Sequence, residues 1–171
     1  MRQVPTKPSP RPPLQLYTPA ERARRDATRW TLVQGVLAPI QFLVFLVSLG
    51  LVLHCLTTGR GEAAATVSVV LKTALLYTIM VTGAAWEKRV FGVWLFARPF
   101  FWEDVFSMLV LALHTAYLVA LATGTLGTVA LLWLALAAYA AYLVNAAQFV
   151  LKLRMARLQA PARAPGAEVM A

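Results

Sequence analysis

Polar residues are rare along most of this chain, and where they are rare the apolar runs are long. Residues 30–56, 63–86, 100–122 and 126–151 each reach or exceed the ~20 residues a helix needs to cross a bilayer. The last three show no strand-like alternation and are rich in Ala, Leu and Val. The short connectors TTGRGE and TGTLG make the flanking runs antiparallel neighbours. The pattern predicts an all-α polytopic membrane protein of four transmembrane helices. Pro39 falls inside the first run and is expected to kink it, because it removes one backbone donor.

A shorter element precedes the first span. Thr18-Pro19-Ala20-Glu21 has the form of a capping box with proline at the first helical position. A short amphipathic, basic helix is expected from there through Arg25, on the cytoplasmic membrane surface. Residues 1–13, rich in proline and basic residues, are expected to be a disordered tail. Residues 14–158 are expected to form one transmembrane domain, and 159–171 a second disordered tail. The sequence carries no internal repeat and no secretory leader is expected, since the first apolar run is too long for one.

Composition agrees with a bilayer. The 171 residues are 60% hydrophobic and 13% charged, with a net charge of +9. The basic residues flank the apolar runs, which fits lipid headgroups and topology control rather than nucleic acid. They crowd before the first span, between the second and third (Lys88, Arg89, Arg98) and after the fourth, while the other two connectors share only Arg60. The positive-inside rule then puts both termini and the middle loop in the cytoplasm. Trp30, Trp86 and residues 100–102 form an aromatic belt on that side. Cys55 is the single cysteine, so neither an intrachain disulfide nor a CxxC site is possible.

Ionisable groups inside such spans are costly and are functional candidates by default. Lys72 lies well inside the second span and His114 near the middle of the third. The two spans run in opposite directions, so both residues should reach similar depth and face one interior. The structural alternatives are snorkelling for Lys72 and an interhelical hydrogen bond for His114. A third group lies at the cytoplasmic rim: Glu87 and Lys88 close one span, and Glu103 and Asp104 open the next. Acids in a first helical turn also favour the helix dipole. Here, however, Phe100-Phe101-Trp102 precede them, which sets the carboxyls at or below the aromatic belt. Partial desolvation makes a carboxyl a usable proton donor.

Helical spacing puts Glu103, Ser107 and His114 on one face, with roughly 16 Å between the first and last, and turns Asp104 roughly 100° away. Gln34, Gln41, Ser48 and Cys55 recur every seven residues along the first span. Asn145, Gln148 and Lys152 recur along the fourth, with Tyr142 at the edge. Each stripe alone is ordinary interhelical glue; together they predict a polar-lined interior. No GxSxG, HExxH, Walker loop or GxGxxG is present.

Four segments resemble one family: LYTPAERARRDATRWTLVQGVLAPIQFLVFLVSL, KTALLYTIMVTGAAWEKRVFG, LFARPFFWEDVFSMLVLALHTAYL and YLVNAAQFVLKLRMARL. WEK, FFWED and ALHTAYL in that order make the likeness specific. The family is the 3-vinyl bacteriochlorophyllide hydratases of photosynthetic bacteria, and the resemblance covers nearly all of residues 14–158. It implies addition of water to the C3 vinyl group of a chlorophyllide or bacteriochlorophyllide, giving a 1-hydroxyethyl group in bacteriochlorophyll a synthesis. It implies an inner, intracytoplasmic membrane location, a magnesium chlorin substrate, a lipid surround and neighbouring enzymes of that synthesis as partners.

The chemistry needs a proton for the terminal vinyl carbon and a water for the inner one. Glu103 is the expected leading donor, with Asp104 or Glu87 assisting. His114 is a candidate axial ligand for the substrate's magnesium, and Lys72, Gln41 and Asn145 are candidates to line its site. Lys88, Arg89 or Arg98 could pair with the ring's propionate, and Trp102, Phe101 or Tyr142 could stack on its faces. No redox or nucleotide cofactor is called for. The alternatives are a non-catalytic tetrapyrrole carrier or assembly factor, and a small transporter using Lys72 and His114 as a proton relay.

Overall fold

The computed structural model describes residues 16–158. The tails expected at 1–13 and 159–171 lie outside the described residues. Five helices follow in order: α1 (Pro19–Ala27), α2 (Arg29–Thr58), α3 (Glu62–Phe91), α4 (Phe101–Thr123) and α5 (Thr128–Leu158). The last four are long and apolar enough to span a membrane. At 1.5 Å rise per residue, even α4 exceeds the roughly 30 Å hydrocarbon core. Large apolar side chains such as Leu32, Val47, Val67, Trp133 and Val150 point outward. That is the expected surface of a helix bundle whose solvent is lipid, and it makes the chain a multi-pass membrane protein.

The expected local signals form. Thr18 accepts from the Glu21 N–H and Glu21 returns a bond to the Thr18 N–H, closing the capping box at α1. α2, α3 and α4 end on Gly59, Gly92 and Gly124, all left-handed, as a helix C-terminus favours. α2 continues through Pro39 without interruption. The bond lost there is the one to the Gly35 carbonyl, and no neighbour crowds the missing Cβ of Gly35.

α2 and α3 pair through the turn at residues 59–61, and α4 and α5 through residues 124–127. Packing is dense within each hairpin and thinner between them. Large side chains fill the seam between hairpins: Phe45 packs on Tyr139 and Tyr142, with ring centroids 5.4 and 4.9 Å apart. A second, smaller core fixes α1 to the end of α3. Leu16, Tyr17, Val90 and Phe100 are buried together, Tyr17 stacks on Phe91, and the Arg24 Nε donates to the Val90 carbonyl at 2.7 Å. Burial there pushes the Tyr17 hydroxyl above its ordinary pKa. This contact holds α1 beside the α3–α4 connection.

Candidate active site

Residues 92–100 join the hairpins, and they close over three carboxyl groups. Phe96 is the one described non-glycine residue with a left-handed backbone (φ 60°). This conformation costs of order 1–3 kcal/mol for a side chain of this kind. It turns two successive N–H groups inward. The Phe96 N–H donates to Asp104 Oδ2 at 2.7 Å, and the Ala97 N–H donates to Glu87 Oε2 at 3.1 Å. The Glu87 and Asp104 carboxyls also lie within interaction range of each other. Two buried carboxyls this close resist double ionisation, so such a pair is suited to holding one transferable hydrogen.

Glu103 lies under the same connection in a different arrangement. Its Oε1 pairs with Lys152 Nζ at 3.1 Å. Lys152 also donates to the Pro99 carbonyl and lies over the Phe100 ring. One turn along α4, the Ser107 hydroxyl accepts from Asn145 Nδ2 at 2.8 Å. Glu87, Glu103 and Asp104 are each at most 6% exposed. One loop therefore closes over a carboxyl pair from α3 and α4 and a carboxylate of α4 that is ion-paired with a lysine of α5.

The expected 100° between Glu103 and Asp104 does not turn either outward. Glu103 faces α5 and Asp104 faces α3, and both directions are interior. Lys152 and the two loop N–H groups complete this site; the sequence reading set Lys152 in the polar stripe of the fourth span without pairing it to an acid, and gave the N–H groups no role. The Asn145, Gln148, Lys152 spacing could have found the lysine. Nothing in the sequence marks Phe96 as left-handed, because that position ordinarily selects glycine or asparagine.

Deeper in the seam lies a second cluster. Lys72 and His114 are both fully buried and meet at 3.1 Å through Nζ and Nε2. Lys72 therefore does not snorkel. His114 Nδ1 lies 2.8 Å from the Val110 carbonyl. A carbonyl only accepts, so Nδ1 carries the hydrogen and Nε2 accepts from Lys72. Both ring nitrogens are thus engaged, and axial ligation of a magnesium by His114 would require Lys72 to withdraw. Lys72 Nζ also lies 4.0 Å from the Tyr142 ring centroid and 5.3 Å from that of Tyr139. Tyr139 hydrogen-bonds Ser48, and Ser48 bonds Ser68 at 2.7 Å.

The remaining expected residues divide. Gln41, Tyr142 and Asn145 are buried. Trp102, at 66% exposed, and Phe101 point away from both clusters. Lys88 folds back to the Gly92 carbonyl at 2.9 Å. Arg98 lines a groove of about 280 Å³ with Phe96, Ala97 and Pro99, on the outer side of the loop that covers the carboxyls. Arg89 joins Arg24, Arg29 and Trp30 around a wider groove of about 550 Å³. Both grooves lie at the rim end; the wider one is basic, and in the smaller one Glu21 accompanies Arg98. Glu103 and His114 share a face of α4 as expected, but Ser107 and Asn145 join across the stretch between them.

Residues 17–155 match the family described as 2-vinyl bacteriochlorophyllide hydratase. A protein of that name from Cereibacter sphaeroides is 67% identical over 154 residues, covering 90% of this chain and 95% of its own. Another from Rhodobacter capsulatus is 64% identical over 155 residues, covering 91% and 90%. No solved structure matches the chain.

Proposed function

This chain belongs to the 2-vinyl bacteriochlorophyllide hydratase family, and we propose that it adds water across the vinyl group of a chlorophyllide a or 3-vinyl bacteriochlorophyllide a. The vinyl group is the one at position 2(3), according to the ring-numbering convention. The product is the 1-hydroxyethyl pigment. The observation that carries the mechanism is the rim arrangement: one carboxyl pair with a hydrogen to give, beside one carboxylate held by an ammonium.

The two halves of the reaction need opposite groups. The Glu87–Asp104 pair gives its proton to the terminal vinyl carbon. The cation left at the inner carbon is delocalised into the macrocycle. Glu103, the carboxylate of an ion pair, takes a proton from the attacking water. The sequence alone favoured Glu103 as leading donor; the ion pair with Lys152 favours the acceptor role and gives the donor role to its neighbours. The pair's N–H contacts stabilise the charge left after donation. Each positioned proton transfer of this kind contributes typically about 10²–10⁴-fold.

The substrate's own chemistry suggests its placement. Its vinyl edge goes under the 92–100 connection, where the carboxyls are. Its propionate goes to a rim groove, to Arg98 or Arg89. The magnesium is part of the substrate, and no further cofactor is assigned.

The membrane setting follows from the same charges. Arg24, Arg29, Lys88, Arg89, Arg98 and Lys152 gather at the rim end, and we place that end and both termini on the cytoplasmic side of a bacterial inner membrane. Cysteine labelling tests this: a cysteine at Thr58 should react from the periplasm and one at Leu95 from the cytoplasm, and the reverse pattern would invert the topology.

Incubating membranes bearing the protein with chlorophyllide a tests the function. The expected result is a pigment heavier by one water, carrying the 1-hydroxyethyl group. Tight pigment binding without conversion would instead make the protein a tetrapyrrole carrier.

A further inference from the structure

Four buried side-chain oxygens receive no hydrogen from any described residue: Gln41 Oε1, Glu103 Oε2, Asn145 Oδ1 and Gln148 Oε1. Three of their residues are more than nine-tenths buried: Gln41 at 3%, Glu103 at 6% and Asn145 at 7% exposed. Their placement is shared. Lys152 binds the other oxygen of Glu103, and Asn145 binds Ser107, one turn from Glu103. Gln148 lies between Asn145 and Lys152 on the same face of α5. Gln41 is one turn from Phe45, whose ring meets Tyr142. Since α2 and α5 are antiparallel, that turn brings Gln41 level with residues 145–148. The helical register therefore sets the three amides in one band of the seam, within two turns of the Glu103 carboxylate.

Buried acceptors without donors are costly, so a group bringing hydrogens belongs there. The vinyl edge of the macrocycle has none to offer. Each water brings two, so two waters match the four acceptors. We propose that Gln41, Asn145 and Gln148, with the unpaired oxygen of Glu103, hold a pair of waters, and that the one on Glu103 is the nucleophile, aimed at the inner vinyl carbon. This rests on the hydratase reading above and assigns a part of it.

The step balances. The vinyl π electrons take the proton of the Glu87–Asp104 pair, forming a C–H bond at the terminal carbon. A lone pair on the nucleophilic water forms the C–O bond at the inner carbon. One of its O–H bonds breaks toward Glu103 Oε2. The proton then returns from Glu103 to the pair through solvent, leaving one water added and every side chain restored.

The three amides act on water, not on the first proton transfer, which makes the two steps separable. If the water is misplaced, the cation forms and falls back to vinyl. In D₂O each return that sheds one of the original hydrogens leaves deuterium on the terminal carbon of recovered substrate. Gln148→Met and Gln41→Met should therefore lower hydration of chlorophyllide a by roughly 10²-fold, the usual cost of misplacing a reactant. Deuterium exchange into the vinyl group should continue, so the ratio of exchange to hydration rises. Gln148→Glu keeps an acceptor oxygen and should hold the ratio near that of the parent. Pigment binding identifies the folded variants. The proposal is overturned if exchange and hydration fall together in folded Met variants, or if both are unchanged. Failure of the parent protein to hydrate at all would instead remove the hydratase reading itself.

Discussion

The bundle encloses two polar clusters, and they differ in how completely their hydrogen bonds close. In the middle of the seam Lys72, His114, Tyr139, Ser48 and Ser68 all find polar partners. Both nitrogens of His114 are engaged, Lys72 lies against imidazole and aromatic faces, and Tyr139, Ser48 and Ser68 form a chain. At the rim, roughly 15 Å along α4 from His114, three carboxyls crowd beneath a strained loop, and acceptors remain without donors. A closed cluster ties helices together and leaves no valence for a guest. An open one stores the capacity to bind and to exchange protons. The lysine and histidine at mid-membrane, which the sequence offers as lining for the substrate or as a proton relay, are thus the better candidates for glue. The rim acids, which the sequence offers as proton donors, are the better candidates for chemistry.

The contrast is sharpest at the carboxyl pair. Asp104→Asn and Glu87→Gln should each lower hydration by about 10²–10⁴-fold while pigment binding persists. The two side chains share one proton, so the double variant should cost scarcely more than either single one. Turnover at matched protein levels checks both statements; fully additive losses would mean that the carboxyls act separately.

Lys152→Met should come next. It frees Glu103 from its ammonium and the Pro99 carbonyl from its donor. Hydration should fall by up to about 10²-fold through misplacement of the base and the loop. Thermal unfolding in detergent should show a loss of about 3–5 kcal/mol, because a buried charge is left unpaired. The Lys152→Met/Glu103→Gln double variant should recover most of that stability and none of the turnover. Recovery of turnover would place Glu103 outside the reaction.

At mid-membrane the expected effect is on folding. His114→Leu leaves the Lys72 nitrogen buried without an acceptor and should cost about 1–3 kcal/mol of stability. Hydration per folded molecule should hold. Adding Lys72→Met should restore most of the stability. The smallest effect is expected at Trp102, exposed on the outer face. Trp102→Ala should leave hydration near the parent level, and a collapse there would mean the pigment stacks outside the bundle.

Much of the fold is legible in the sequence because the bilayer restricts the choices. The four long helices, the turns between them and the capping box at Thr18 all follow from apolar length and local caps. So does the meeting of Lys72 with His114, which needs only that α3 and α4 be antiparallel. The rim was legible as a set of acids but not as an arrangement. Which carboxyl faces which partner depends on the rotation of α4 and on the path of residues 92–100. A left-handed phenylalanine and the two N–H groups it turns inward leave no mark in composition or spacing. The ion pair of Glu103 spans 49 positions of chain to Lys152, and only packing of α4 on α5 brings it about.

The division between rim and mid-membrane can be tested side by side. Hydration of chlorophyllide a per bound pigment should be measured in Asp104→Asn and in the Lys72→Met/His114→Leu double variant, each in membranes at matched protein level. Turnover should collapse in the first and stay near that of the parent in the second, with pigment bound in both. Near-normal turnover in Asp104→Asn alongside collapse in the double variant would contradict this division and move the chemistry to the middle of the membrane.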